Sequence, residues 1–189
     1  MEKRKKTLQE KLAVRQFKIP SQLVYKTLRN VVIKPFLEPK YNVTYEIVDD
    51  INKCDGPCFL IYNHQSRIDY VWLIQSAYPR RINFVAGYNE FFRSHLQFIF
   101  KLAGTIPKKN FNSDVISIRG MNKIIKQGGV VCISPEGMSS ITGHSQPVAQ
   151  GTGKLFKHFN IPVYCFVGGM GDKKDNLLKI HDTQKNYRK

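Results

Sequence analysis

Acidic side chains are scarce in this chain of 189 residues: 14 Asp and Glu stand against 30 Lys and Arg, a formal net charge of +16. A field of that sign attracts anionic lipid surfaces, nucleic acid, acidic carrier proteins or phosphorylated substrates. Cysteines are few, and Cys54, Cys58, Cys132 and Cys165 make no CxxC pair. Three of them lie inside apolar runs and read as small core residues, which argues against a disulfide scaffold and for a reduced, cytoplasmic setting. No apolar run approaches the roughly 18 residues of a membrane-spanning helix. Residues 1–18 carry charges without the apolar segment of a signal peptide. Several chemical signatures are missing as well. No G-x-S-x-G surrounds any Ser, which disfavours that class of hydrolase. Gly151-Thr152-Gly153-Lys154 fails as a phosphate loop because Val148 replaces the first Gly and Leu155 the hydroxyl residue. Gly168-Gly169-Met170-Gly171 lacks the last Gly of a dinucleotide fingerprint, and the His residues show no zinc spacing, so no metal site is expected. There is no internal repeat.

A hydrophobic share of 42% and a charged share of 23% describe an ordinary globular protein, of single-domain length. The basic excess is unevenly spread. Residues 1–40 hold eleven Lys/Arg and three Glu, net +8, whereas residues 41–171 contribute +5 and residues 172–189 contribute +3. Residues 1–40 are therefore read as a basic helical arm, 41–171 as the main domain, and 172–189 as a short end. After Pro20, Ser21 precedes Leu23, Val24, Leu28, Val31 and Val32 at helical spacing, flanked by Lys26, Arg29 and Lys34. Such a helix either lies on anionic lipid or packs on the domain with a solvated basic side.

Further on, residues 41–48 alternate as an edge strand does. Buried strands are expected at 57–62, 82–86, 130–133 and 162–167, with a brief extended piece at 104–107. Helices are expected after Asp69, from Asn89 through Leu102, from Asp114 to Lys126 and around 153–159. The Phe-rich helix from Asn89 is either core or one wall of a pocket for a fatty chain. Strands alternating with helices predict an α/β fold with a mainly parallel central sheet.

The stretch with most chemistry is Asn63-His64-Gln65-Ser66-Arg67-Ile68-Asp69, at the carboxyl end of a buried strand. Open α/β sheets place their ligand crevices there. His64 exchanges protons near neutral pH, and a carboxylate at Asp69 would fix which ring nitrogen does so. In a continuous helix the two would diverge by about 140°. They meet only if His64 lies on the turn and Asp69 in the first helical turn; otherwise they are a surface His and a capping Asp.

Four pieces in a fixed order now resemble a known family. Asn63-His64 through Asp69 matches the NHxxxxD signature of the glycerolipid acyltransferases, the lysophosphatidic acid type among them. Ser134-Pro135-Glu136-Gly137 resembles the family's third motif, usually FPEG followed by Thr-Arg-Ser. Ile106-Pro107-Lys108-Lys109 stands where the second motif carries a phosphate-binding Arg, and Ile161-Pro162-Val163 resembles the fourth motif. The resemblance covers about residues 41–170, with two departures: Met138-Ser139 replaces Thr-Arg, and Lys replaces the second-motif Arg. A lysine offers a point charge where arginine offers a fork. Members generally continue beyond the fourth motif with more sheet and helix, which makes 172–189 look like a truncated or atypical end.

The resemblance implies an acyltransferase acting at a membrane surface with which it associates peripherally. It would move a fatty acyl group from acyl-CoA or acyl-carrier protein, substrates rather than cofactors, to a lysophospholipid hydroxyl. The first acceptor to consider is 1-acylglycerol-3-phosphate. His64 would be the general base and Asp69 its orienting carboxylate. Asn63, Ser66, Lys108, Lys109, Glu136 and Gly137 would bind substrate, although Glu136 also reads as a helix-end carboxylate. Backbone N–H groups near Gly137 or after His64 would face the oxyanion. The partners implied are anionic lipid and the acyl donor, not nucleic acid. The competing function is a non-catalytic basic module that binds anionic lipid or nucleic acid.

Overall fold

The computed structural model describes residues 17–41, 43–66, 68–92, 97–109, 114–140, 144–168 and 177–182. Its strands are β1 (Thr44–Ile47), β2 (Cys58–Tyr62), β3 (Ile82–Gly87), β4 (Ile106–Lys108), β5 (Val130–Ile133), β6 (Val163–Val167) and β7 (Leu177–Asp182). They form one sheet in the order β1-β7-β6-β2-β5-β3-β4. The five strands from β6 to β4 are mutually parallel, β7 runs antiparallel to β6, and β1 pairs parallel with β7. The expected mainly parallel sheet is present, with β1 at its edge. No element was expected in 172–189, yet β7 lies there between β1 and β6. Its six residues sit in a polar, Lys- and Asp-rich stretch, where a strand signal is weak.

Strand β2 is central because its run Cys-Phe-Leu-Ile-Tyr is apolar on both pleat faces. Period-2 alternation divides the core into two layers. Cys58, Leu60 and Tyr62 face a cluster with Trp72, Leu73, Ile74, Val130 and Cys132. Phe59 faces the other, with Ile106, Met121, Ile124, Val131 and Ile133. Helix α3 (Asp69–Ala77) covers the first face, whereas α5 (Val115–Ile125) and α6 (Thr152–Phe159) cover the second. Phe59 meets Phe156 and Phe159 edge-on, with centroids 5.0 and 5.6 Å away. Burial of the thiols follows from this placement. It pushes Cys58 up to about 12 and Cys132 well above its ordinary range, so both stay protonated core residues.

The basic segment is partly built into the domain. Phe17 is buried with the second layer, while Tyr25 and Ile33 join the first. Arg81 donates to Pro20 O at 2.8 Å, Asn83 to Lys18 O at 2.9 Å, and the Tyr25 hydroxyl accepts from Ile82 N. Gly104 has φ +59°, and a Cβ there would lie 2.5 Å from both Asn83 Nδ2 and Lys18 O. Only glycine allows that approach. Helix α1 (Gln22–Thr27) continues as a π-helix, Leu28–Leu37, then α2 (Glu38–Tyr41). Glu38 N donates to Ile33 O, five residues back, and this widened turn carries Pro35, which has no N–H to give an α-helical ladder.

The Phe-rich stretch divides into a 3₁₀ turn, Tyr88–Phe92, and helix α4 (Gln97–Leu102). Residues 93–96 lie outside the described residues, so the continuous helix expected there is not tested. Helix α5 begins where expected: Asp114 caps it through Ile116 N at 2.9 Å, and the same carboxylate takes Lys109 N at 3.0 Å.

Candidate active site

Strand register brings the site together. Ile61 pairs with Ile133 and Tyr62 with Phe166, so the turns leaving β2, β5 and β6 emerge side by side. From β2 the chain passes to β3 on one side and later to β6 on the other, a topological switch point at His64. Asn63 fastens two of these turns. Its Nδ2 donates to Gly168 O, and its Oδ1 accepts from Gly168 N, both at 2.7 Å. Its Nδ2 also lies 3.4 Å from Ser145 Oγ.

His64 lies on the turn and Asp69 is the first residue of α3, the arrangement that lets them meet. His64 Nδ1 is 2.9 Å from Asp69 Oδ2, and the side chains are 26% and 12% exposed. The same carboxylate oxygen accepts from Ser66 N at 2.9 Å, while the Ser66 hydroxyl accepts from Ile68 N at 3.3 Å. An ionised carboxylate has no proton to give, so Nδ1 carries hydrogen and Nε2 presents its lone pair. Nε2 meets Ser139 Oγ at 2.7 Å. The Tyr62 ring packs edge-on to the imidazole, with centroids 5.6 Å apart. Burial holds the Tyr62 phenol well above its ordinary value, and the nearby Cys132 thiol, Asp69 and Glu136 reinforce the shift. It stays neutral.

Glu136, 9% exposed, reaches the back of the same residue: Oε2 accepts from His64 N at 3.1 Å. Ser140 N donates to His64 O at 2.7 Å, so the β5 turn grips the histidine backbone from both sides. Gly137 turns the chain there with φ +76°. The amide donors considered for an oxyanion are largely committed. Those of His64 and Ser66 serve Glu136 and Asp69, and Gly137 N reaches Ser134 O at 3.3 Å.

Of the residues singled out in the sequence, Asn63, His64, Ser66, Asp69, Glu136 and Gly137 converge. Lys108 ends β4 and Lys109 follows it on the same edge of the sheet, both half-buried, but β5 and β3 intervene. That puts their backbone about 14 Å from β2 at a strand spacing of about 4.8 Å. Tyr62, Ser139, Ser145 and Gly168 were not singled out. Tyr62 read only as strand, although extended chain puts it on the same face as His64 two residues on, and Ser139 read only as a departure from a motif, with nothing in one dimension to join it to His64. A separate cleft of about 260 Å³, lined by Ile19, Pro79, Arg80 and Val130 among others, opens at the amino ends of the strands, away from this chemistry. Arg80 there is spent on the carbonyls of Ile51, Cys54 and Gly56.

A sequence profile described as Acyltransferase matches residues 42–167, two thirds of the chain and every residue of this site but Gly168. The chain belongs to the acyltransferase family. It is 24% identical over 127 residues to a chloroplastic 1-acyl-sn-glycerol-3-phosphate acyltransferase of Brassica napus. The matched part is 66% of this chain and 36% of that protein, so the chain spans about a third of the relative's length. The fold resembles the crystal structure of the 1-acyl-sn-glycerophosphate (LPA) acyltransferase PlsC from Thermotoga maritima, with a TM-score of 0.60 at 14% identity. That match covers 85% of this chain and 67% of the other, and it establishes the acyltransferase fold.

Proposed function

We propose that this chain transfers a fatty acyl group from acyl-CoA or acyl-carrier protein to the hydroxyl of a lysophospholipid, with 1-acylglycerol-3-phosphate the first acceptor to test. His64 acts as general base on that hydroxyl, and Asp69 holds the imidazole and stabilises the imidazolium that forms. The observation that carries this reading is the 2.9 Å His64–Asp69 contact with Nε2 turned outward. A hydroxyl already occupies the position from which an acceptor would give its proton. Glu136 and Asn63 position the loop, and Lys108 and Lys109 supply charge for a head-group phosphate further along the same edge.

Membrane contact is supported by the outer side of the basic segment. Leu23, Val31 and Phe36 are 73%, 57% and 68% exposed beside exposed Lys26, Lys34 and Lys40. An apolar and basic surface of this kind suits an anionic bilayer. Among the described residues no helix is long and apolar enough to cross one. The function is tested by a radiolabelled transfer screen across lysophosphatidate, other lysolipids and non-phosphorylated alcohols. Transfer to lysophosphatidate, lost in Lys108→Ala and Lys109→Ala, is expected. Salt-sensitive lipid or nucleic-acid binding with no transfer to any alcohol would instead favour a non-catalytic basic module.

A further inference from the structure

The hydroxyl on the base belongs to the protein itself. Ser139 Oγ, His64 Nε2 and Asp69 Oδ2 form an unbroken relay with contacts of 2.7 and 2.9 Å across the imidazole. The order is hydroxyl, imidazole, carboxylate, the constellation by which serine enzymes activate a nucleophile. Three further observations fit a reacting role. Ser139 is exposed, so an incoming carbonyl has access to Oγ. The next residue is tied to the base, since Ser140 N donates to His64 O at 2.7 Å. Ser139 also stands where the resembling motif has Arg, so the departure puts a hydroxyl, in place of a cation, within reach of the lone pair.

We propose that Ser139 is a nucleophile that accepts the acyl group before the lipid does. The proposal rests on the reading that this site receives acyl thioesters. Oγ attacks the thioester carbonyl while His64 Nε2 takes the hydroxyl proton. The C–S bond breaks, and the thiolate leaves with that proton from His64, giving acyl-Ser139 and a free thiol. An alcohol then gives its proton to Nε2 and attacks the ester carbonyl. The C–Oγ bond breaks, and the proton returns to Oγ. With no alcohol present, water takes its place and the enzyme hydrolyses the thioester slowly. The net exchange is thioester plus alcohol to ester plus thiol, with no change of oxidation state.

The test uses the full chain and palmitoyl-CoA without acceptor, quenched in acid within seconds and read by intact mass and peptide mapping. A fluorophosphonate probe, which needs the activated serine but no particular donor, is run in parallel. The expected result is one acyl group on Ser139 and one probe label on the same residue. Both should fall by about 10²-fold or more in Ser139→Ala and His64→Ala. Ser139→Cys should restore the acyl adduct as a thioester labile to hydroxylamine. Melting temperatures within a degree or two of wild type, about the smallest shift that signals a change of stability, show that the exposed substitution leaves the fold intact. Transfer to lysophosphatidate by wild type and Ser139→Ala alike, with no adduct and no label, overturns the proposal while the transferase reading stands; Ser139 then only fills the acceptor's place. Probe labelling at Ser139 with no adduct and no transfer from any thioester leaves an activated serine but overturns its role as acyl acceptor together with the transferase reading. Absence of label, adduct and transfer overturns both.

Discussion

At the scale of single residues, the account depends on which nitrogen of His64 holds its proton. Asp69 sets this, so Asp69→Asn should lower kcat by about 10² to 10⁴-fold with little change in KM, because an amide no longer dictates the tautomer or stabilises the imidazolium. A steady-state comparison checks it, and an unchanged kcat would remove Asp69 from the mechanism. Cys58 offers an independent check on the core. Its folded thiol sits at about 12 against an ordinary 9.0, so its burial contributes stability that is complete below pH 9 and lost as pH rises toward 12. Urea midpoints at pH 8 and pH 10.5 should therefore separate more for wild type than for Cys58→Ala. Equal separations would mean that the thiol titrates normally.

At the scale of elements, what matters is how three strand ends are held together. Asn63 makes two bonds of 2.7 Å to Gly168, so Asn63→Ala should cost about 1–3 kcal/mol and loosen the β6 turn before the sheet melts. Denaturant unfolding and amide exchange at Gly168 measure these. Phe59→Ala, which removes a ring held edge-on between Phe156 and Phe159, should cost about 3–5 kcal/mol in the same unfolding measurement. Elements like β2 and β5 were legible because a run apolar on both faces has one comfortable place in an α/β sheet. The meeting of His64 and Asp69 was legible as a condition, since only a strand-to-helix turn allows it. The π-helical turn around Pro35, the strand at Leu177–Asp182 and the contact of Ser139 with His64 were not. The first arises from a missing N–H within a helical pattern. The second rests on pairing with β1 and β6, and the third on a register that no spacing encodes.

For the whole molecule, the basic segment packs on the domain with one side and leaves the other exposed. Phe17, Tyr25 and Ile33 are core, whereas Leu23, Val31 and Phe36 point outward among lysines. With half of the +16 charge in residues 1–40, the molecule should bind anionic vesicles through this side. Flotation with phosphatidylglycerol vesicles should fall several-fold in a Leu23→Ser, Phe36→Ser double variant without loss of melting temperature. Flotation equal to wild type would take the segment out of the membrane account. The whole scheme converges on one imidazole, and one measurement reaches it most directly: acyl transfer from palmitoyl-CoA to lysophosphatidate by wild type and His64→Ala, with equal melting temperatures confirmed. The account predicts a loss of at least about 10²-fold, as for removal of a general base. Turnover near that of wild type would contradict it.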